Sequence, residues 1–99
     1  MAQFLVTAKD GTDEGARARR MAARPVHLEG IKPLVAAGKI VVGGATLNEA
    51  GEMIGSVLIW DFADRAEFDA WFENDPYVTQ GVWKDVTVVP FRVAVRAPG

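Results

Sequence analysis

The strand candidates of this chain are apolar on consecutive positions rather than on alternate ones. Phe4-Leu5-Val6 and Val57-Leu58-Ile59-Trp60 each run through without a polar break, and the last strand alternates little better. A strand with one wet face alternates apolar and polar residues. These strands therefore predict a sheet covered on both sides. Helices of the same chain can cover one side only. The other side is expected to pack on a second copy, giving a homodimer.

The remaining pattern arranges these strands. Gln3 to Ala8 predicts a strand, and Thr12 or Asp13 is a candidate cap for a helix over about Glu14 to Ala37, closed by Gly38. Met21, Leu28, Ile31 and Val35 make an apolar stripe expected to face the sheet. Pro25 predicts a kink or break, and Pro33 lies away from the stripe. Ile40 to Leu47 and Met53 to Phe62 read as strands joined by a turn at Asn48 to Glu52. Gly43-Gly44 marks a bulge or a close approach to the backbone.

Asp64-Arg65-Ala66-Glu67 has the spacing of a capping box, opening a second helix that buries Phe68, Trp71 and Phe72. That helix ends before Pro76. Tyr77 to Trp83 reads as an irregular connection, and Val86 to Val95 as an edge strand containing Pro90. The order βαββαβ predicts an α+β, ferredoxin-like single domain over residues 1–99, with a four-stranded antiparallel sheet and two helices on one face.

Composition excludes several classes of function. The chain has 99 residues, a net charge of −2, no cysteine and one histidine. There is no general attraction to nucleic acid or to an anionic membrane, and no thiolate chemistry. No apolar run reaches the ~20 residues of a membrane span, and Met1-Ala2-Gln3-Phe4 lacks a signal-peptide pattern, so a cytoplasmic location is expected. One histidine and no thiol disfavour a zinc site, and neither a phosphate loop nor a nucleophile elbow is present. Acid–base work without a cofactor or metal, or plain small-molecule binding, is left.

The lone histidine is the natural proton-transfer group. His27 lies in Arg24-Pro25-Val26-His27-Leu28, with Arg20 and Arg24 beside it along one edge of the stripe. Asp75, after the second helix, can meet it at one end of the sheet and orient its ring. Arg24 suits a ligand carboxylate or phenolate, Ser56 offers a strand hydroxyl, and Tyr77 follows Asp75-Pro76 as a candidate ligand contact. Each also has an ordinary structural role: a rim histidine, an aspartate capping the turn before Pro76, solvated arginines, and a small residue beside Gly55 in a crowded sheet.

These segments, with Gly38-Lys39-Ile40, Gly55-Ser56, Asn74-Asp75-Pro76-Tyr77-Val78 and Val89-Pro90-Phe91-Arg92, resemble the YciI-like (YCII-related) family of the dimeric α+β barrel superfamily. The resemblance spans nearly the whole chain. It implies a ferredoxin-like subunit paired through its sheets, and a site built on His27 and Asp75 with Ser56 lining the cleft. Relatives in the superfamily include cofactor-free isomerases and monooxygenases, and the family is linked to dehydrochlorination of hydroquinone-type rings. Gly43-Gly44, where many members carry Gly-Pro, and a shorter hairpin at Asn48 to Glu52 depart from the pattern. The expectation is a cofactor-free lyase or isomerase of the dehydrochlorinase or muconolactone-isomerase kind, acting on a small cyclic or phenolic substrate. A ligand-binding accessory homodimer without turnover is the competing reading.

Overall fold

The computed structural model describes residues 2–97. Its elements are β1 (Ala2–Asp10), α1 (Ala16–Ala36), β2 (Ile40–Leu47), β3 (Met53–Phe62), α2 (Arg65–Phe72), α3 (Pro76–Thr79) and β4 (Trp83–Phe91). The strands form one antiparallel sheet in the order β2-β3-β1-β4. This is the ferredoxin-like α+β architecture expected from the element order. Pro90 does lie on an edge strand, where a missing N–H leaves no ladder bond unmade.

Local chemistry fixes several boundaries. α1 ends in a Schellman motif: Gly38 adopts φ 72°, its N–H reaches Val35 O at 3.0 Å, and Lys39 N–H reaches Leu34 O at 2.8 Å. Asp64 caps α2 by accepting from Glu67 N at 2.9 Å. Asn48 Oδ1 accepts from both Ala50 N and Glu52 N, closing the hairpin between β2 and β3.

Other expectations are corrected. Neither Thr12 nor Asp13 caps α1; its cap position is Gly15, with no side-chain bond, and the Asp13 carboxylate is held by Arg19 instead. The helix runs through Pro25 and Pro33 without a break, because its tertiary packing outweighs two missing donors. Its buried face is Ala16, Arg20, Ala23, His27 and Ile31, whereas Met21, Leu28 and Val35 are 51%, 41% and 55% exposed. The stripe is thus turned by about one residue, ~100°. A third helix, α3, occupies part of the segment expected to be irregular. β4 starts at Trp83 rather than Val86 and stops at Phe91, before Val95.

The core lies between the helices and one sheet face. Phe4, Val6 and Ala8 of β1 and Leu58, Trp60 and Phe62 of β3 point into it, meeting Ala23, Ile31, Phe68 and Tyr77. One end is aromatic: Phe68 lies 5.5 Å from Phe4 and 5.8 Å from Phe62, and Trp71 lies 4.2 Å from Trp60 between ring centroids. The opposite sheet face carries Leu5, cross-strand to Ile59 and Val89, and Val57 opposite Thr7. No element of the described residues covers that apolar face.

Candidate functional site

At the end of the core away from the aromatic cluster, the buried side chains turn polar. Asp10, Arg20, His27, Ser56 and Asp75 are all buried. The sequence positions dictate this. Asp10 continues the inward parity of Phe4, Val6 and Ala8 along β1, while Arg20 and His27 lie two turns apart on the inner face of α1. Ser56 sits in β3 opposite Ala8 and Ala45.

His27 and Asp75 meet. The imidazole Nδ1 lies 2.9 Å and 2.8 Å from the two carboxylate oxygens of Asp75. An ionised carboxylate only accepts, so Nδ1 carries the donated proton and the neutral ring leaves Nε2 bare. Asp75 also caps α3, accepting from Tyr77 N at 3.0 Å. The turn role and the histidine-orienting role are therefore held by one side chain. The Tyr77 ring lies flat on the His27 imidazole, 3.8 Å between centroids and 10° between planes, and Trp83 meets the same imidazole edge-on at 6.1 Å. Burial pushes the Tyr77 phenol above its ordinary 10.0, against the opposing pull of the Arg20 and Arg24 charges. Tyr77 stays neutral near pH 7.

A second cluster adjoins the first. Arg20 Nη1 donates to both Asp10 oxygens at 3.0 Å, and Arg20 Nη2 donates to Ser56 Oγ at 3.0 Å. Trp83 Nε1 donates to the same Oγ at 3.2 Å. The Arg20 guanidinium stands 4.9 Å from the Tyr77 ring centroid, linking the two clusters.

A cavity of about 450 Å³ opens here, lined by Arg20, Arg24, His27, Ser56, Tyr77 and the Gly43-Gly44 segment. Arg24 is exposed at its rim and makes no ion pair among the described residues. A side chain at position 43 would crowd Leu58 Cδ2 at 3.1 Å, so that glycine keeps the cavity wall thin. A larger hollow of about 750 Å³ lies beyond Ser56, among Lys9, Asp13, Arg17 and Asp85. It includes no histidine, and its charged groups are of both signs. Proton-transfer chemistry belongs to the smaller one.

All five residues singled out from the sequence converge: His27, Ser56, Arg24 and Tyr77 line the cavity, and Asp75 stands behind His27. Asp10, Arg20 and Trp83 were missed as site residues. Asp10 lay beyond the expected strand, which ended at Ala8; carrying the strand two residues further at the same parity points it inward, and Arg20 shares a helix face with His27. Trp83 carried no comparable signal. No group of three or more metal-ligating side chains occurs among the described residues.

The fold and the site together describe an α+β ferredoxin-like protein with a buried histidine–aspartate pair beneath its long helix. The chain belongs to the YCII-related family, whose domain profile matches residues 2–92. It is 30% identical over 95 residues to protein YciI of Escherichia coli, covering 90% of this chain and 95% of that one. It is also similar to the 5-chloro-2-hydroxyhydroquinone dehydrochlorinase TftG of Burkholderia phenoliruptrix, whose structure is a complex with 2,5-dihydroxybenzoquinone. That match has a TM-score of 0.80 and 31% identity over 93% of this chain and 95% of the other. A dimeric ferredoxin-like protein of unknown function from a Jannaschia species shares the fold, with a TM-score of 0.55 and 18% identity over 94% and 100% of the two chains. No helix among the described residues is long and apolar enough to cross a membrane.

Proposed function

We propose that this protein is a cofactor-free acid–base enzyme of the lyase or isomerase type, acting on a small oxygenated ring. The observation that carries this reading is the Nδ1–carboxylate bond of His27 and Asp75 beside a ligand-sized cavity. The bare Nε2 takes a proton from the substrate, and Asp75 stabilises the imidazolium that forms. In an elimination of the dehydrochlorinase kind, the electron pair freed by that proton expels chloride. Hydrogen chloride leaves in total, so no oxidant or reductant is consumed. Arg24 and Ser56 bind substrate oxygens, and the Tyr77 ring keeps the imidazole plane fixed. The resemblance to TftG supports a hydroquinone-type ring as substrate class.

The test is chloride release from 5-chloro-2-hydroxyhydroquinone. His27→Gln and Asp75→Asn are each expected to lower turnover by ~100- to 10,000-fold. ¹⁵N NMR of the single histidine should show the Nδ1–H form in the neutral ring of the native chain. Full turnover in His27→Gln removes the proposal. The free rim cation Arg24 favours a second reading, binding without turnover, and saturable binding with no chloride released would select it.

The protein is further proposed to act as a homodimer joined through the apolar sheet face of Leu5, Val57, Ile59 and Val89. Val89 and Phe91, at 40% and 39% exposed, extend this face towards the β4 edge. Light scattering should give twice the 10.7 kDa chain mass, and Ile59→Asp should return the single-chain mass. A native monomer at micromolar concentration overturns the dimer.

A further inference from the structure

Ser56 is a small residue with an unusual set of partners. Its Oγ accepts from Arg20 Nη2 at 3.0 Å and from Trp83 Nε1 at 3.2 Å. Neither guanidinium nor indole N–H can accept, so neither bond can be reversed. A hydroxyl oxygen has two lone pairs and one proton. Both lone pairs are spent, and the proton has no acceptor within the protein among the described residues. Ser56 is buried on the wall shared by the cavity that contains His27 and the larger hollow beyond it.

We infer that Ser56 is a one-way hydrogen-bond donor, locked in that sense by Arg20 and Trp83, and that it selects ligands presenting an acceptor oxygen. Asp10 neutralises Arg20 through two 3.0 Å bonds, so Arg20 is a positioning residue rather than an anion anchor. Its donation into Oγ also makes the Ser56 O–H a stronger donor, as chained hydrogen bonds polarise one another. His27 Nε2 has the opposite sense, accepting a proton. The cavity therefore calls for a ligand with an anionic or carbonyl oxygen at Ser56 and an acidic hydrogen at His27. An enolic or phenolic ring that carries one ionised or carbonyl oxygen has both.

This inference rests on the proposed function for the location of the ligand, but its test needs no turnover. Calorimetry would compare two probes of one ring size. In 2,5-dihydroxybenzoquinone the carbonyl and ionised enol oxygens are strong acceptors; in hydroquinone each oxygen is a weaker acceptor that also carries a donating hydrogen. The native protein is expected to prefer the quinone. Ser56→Ala should reduce that preference roughly tenfold to a hundredfold, the loss of a hydrogen bond to a charged acceptor. Trp83→Phe frees one lone pair of Oγ, so hydroquinone should bind more tightly than to the native chain. The Trp83 indole proton should shift in NMR when the quinone binds, and the shift should vanish in Ser56→Ala. A native protein without preference, or a preference unchanged in both variants, overturns the inference. Turnover that survives His27→Gln while Ser56→Ala erases the preference would sink the proposed reaction and leave this inference standing.

Discussion

Arg19 and Arg20 are neighbours on α1, and each bonds an aspartate preceding the helix. Arg19 holds Asp13 in a two-pronged pair, 2.8 Å and 2.6 Å, with side chains 33% and 55% exposed. Arg20 holds Asp10 through a single nitrogen at 3.0 Å to both oxygens, with side chains 3% and 5% exposed. The surface pair has the better fork geometry. Burial nevertheless makes the inner pair the consequential one. Water stands ready to solvate either member of the outer pair when its partner is lost, whereas a lone Arg20 would be a bare charge between α1 and the sheet.

The largest expected effect breaks the inner pair from one side. Asp10→Ala leaves the Arg20 charge unmatched in the core and should cost ~3–5 kcal/mol in denaturant unfolding. Replacing both partners, Asp10→Leu with Arg20→Met, sharpens the comparison. Well-packed apolar substitutes for a buried ion pair are often neutral or stabilising. The double variant should therefore recover most of the loss in Asp10→Ala, while Ser56 loses a donor and the preference for acceptor ligands narrows. Recovery of stability without that narrowing would mean the inner pair serves only the fold.

The order of elements follows from period and punctuation: the Asp64 cap, the Gly38 terminus, and Asp75 before Pro76 all act locally. The rotation of α1 does not. Met21, Leu28 and Val35 belong, with the buried Ile31, to the apolar stripe of that helix, and hydrophobicity alone turns them inward. The structure instead buries Arg20 and His27 and leaves those three half in water. A stripe argument assumes an apolar interior, and at this end of the sheet the interior is a polar site. His27 was legible as the one histidine; its pairing with Asp75, which the local pattern left open against an ordinary turn role, was implied by the family resemblance. The tie from Arg20 to Ser56 joins residues 36 apart in sequence, and local pattern carries no record of such a contact. Trp83 is a comparable case: only the start of β4 at that position brings its indole N–H onto Ser56.

The smallest expected effect belongs to the outer pair. The Arg19 guanidinium, hydrogen-bonded to Asp13, lowers that carboxyl from the usual 3.8 to about 2. A folded-state value below the unfolded one means the pair stabilises the protein above pH 3.8, and that this contribution fades as pH falls through 2. Asp13→Asn should therefore differ from the native chain slightly at neutral pH and not at all below about pH 2, where both carry a neutral side chain. The difference should also shrink in concentrated salt, since ~1 M reduces the screening length to ~3 Å. Thermal midpoints across pH 2 to 7 would measure it, and Asp10→Ala in the same series is expected to stay destabilised at neutral pH whatever the salt. An Asp13→Asn loss as large as that of Asp10→Ala would break the comparison, because it would make geometry rather than burial the source of the inner pair's weight.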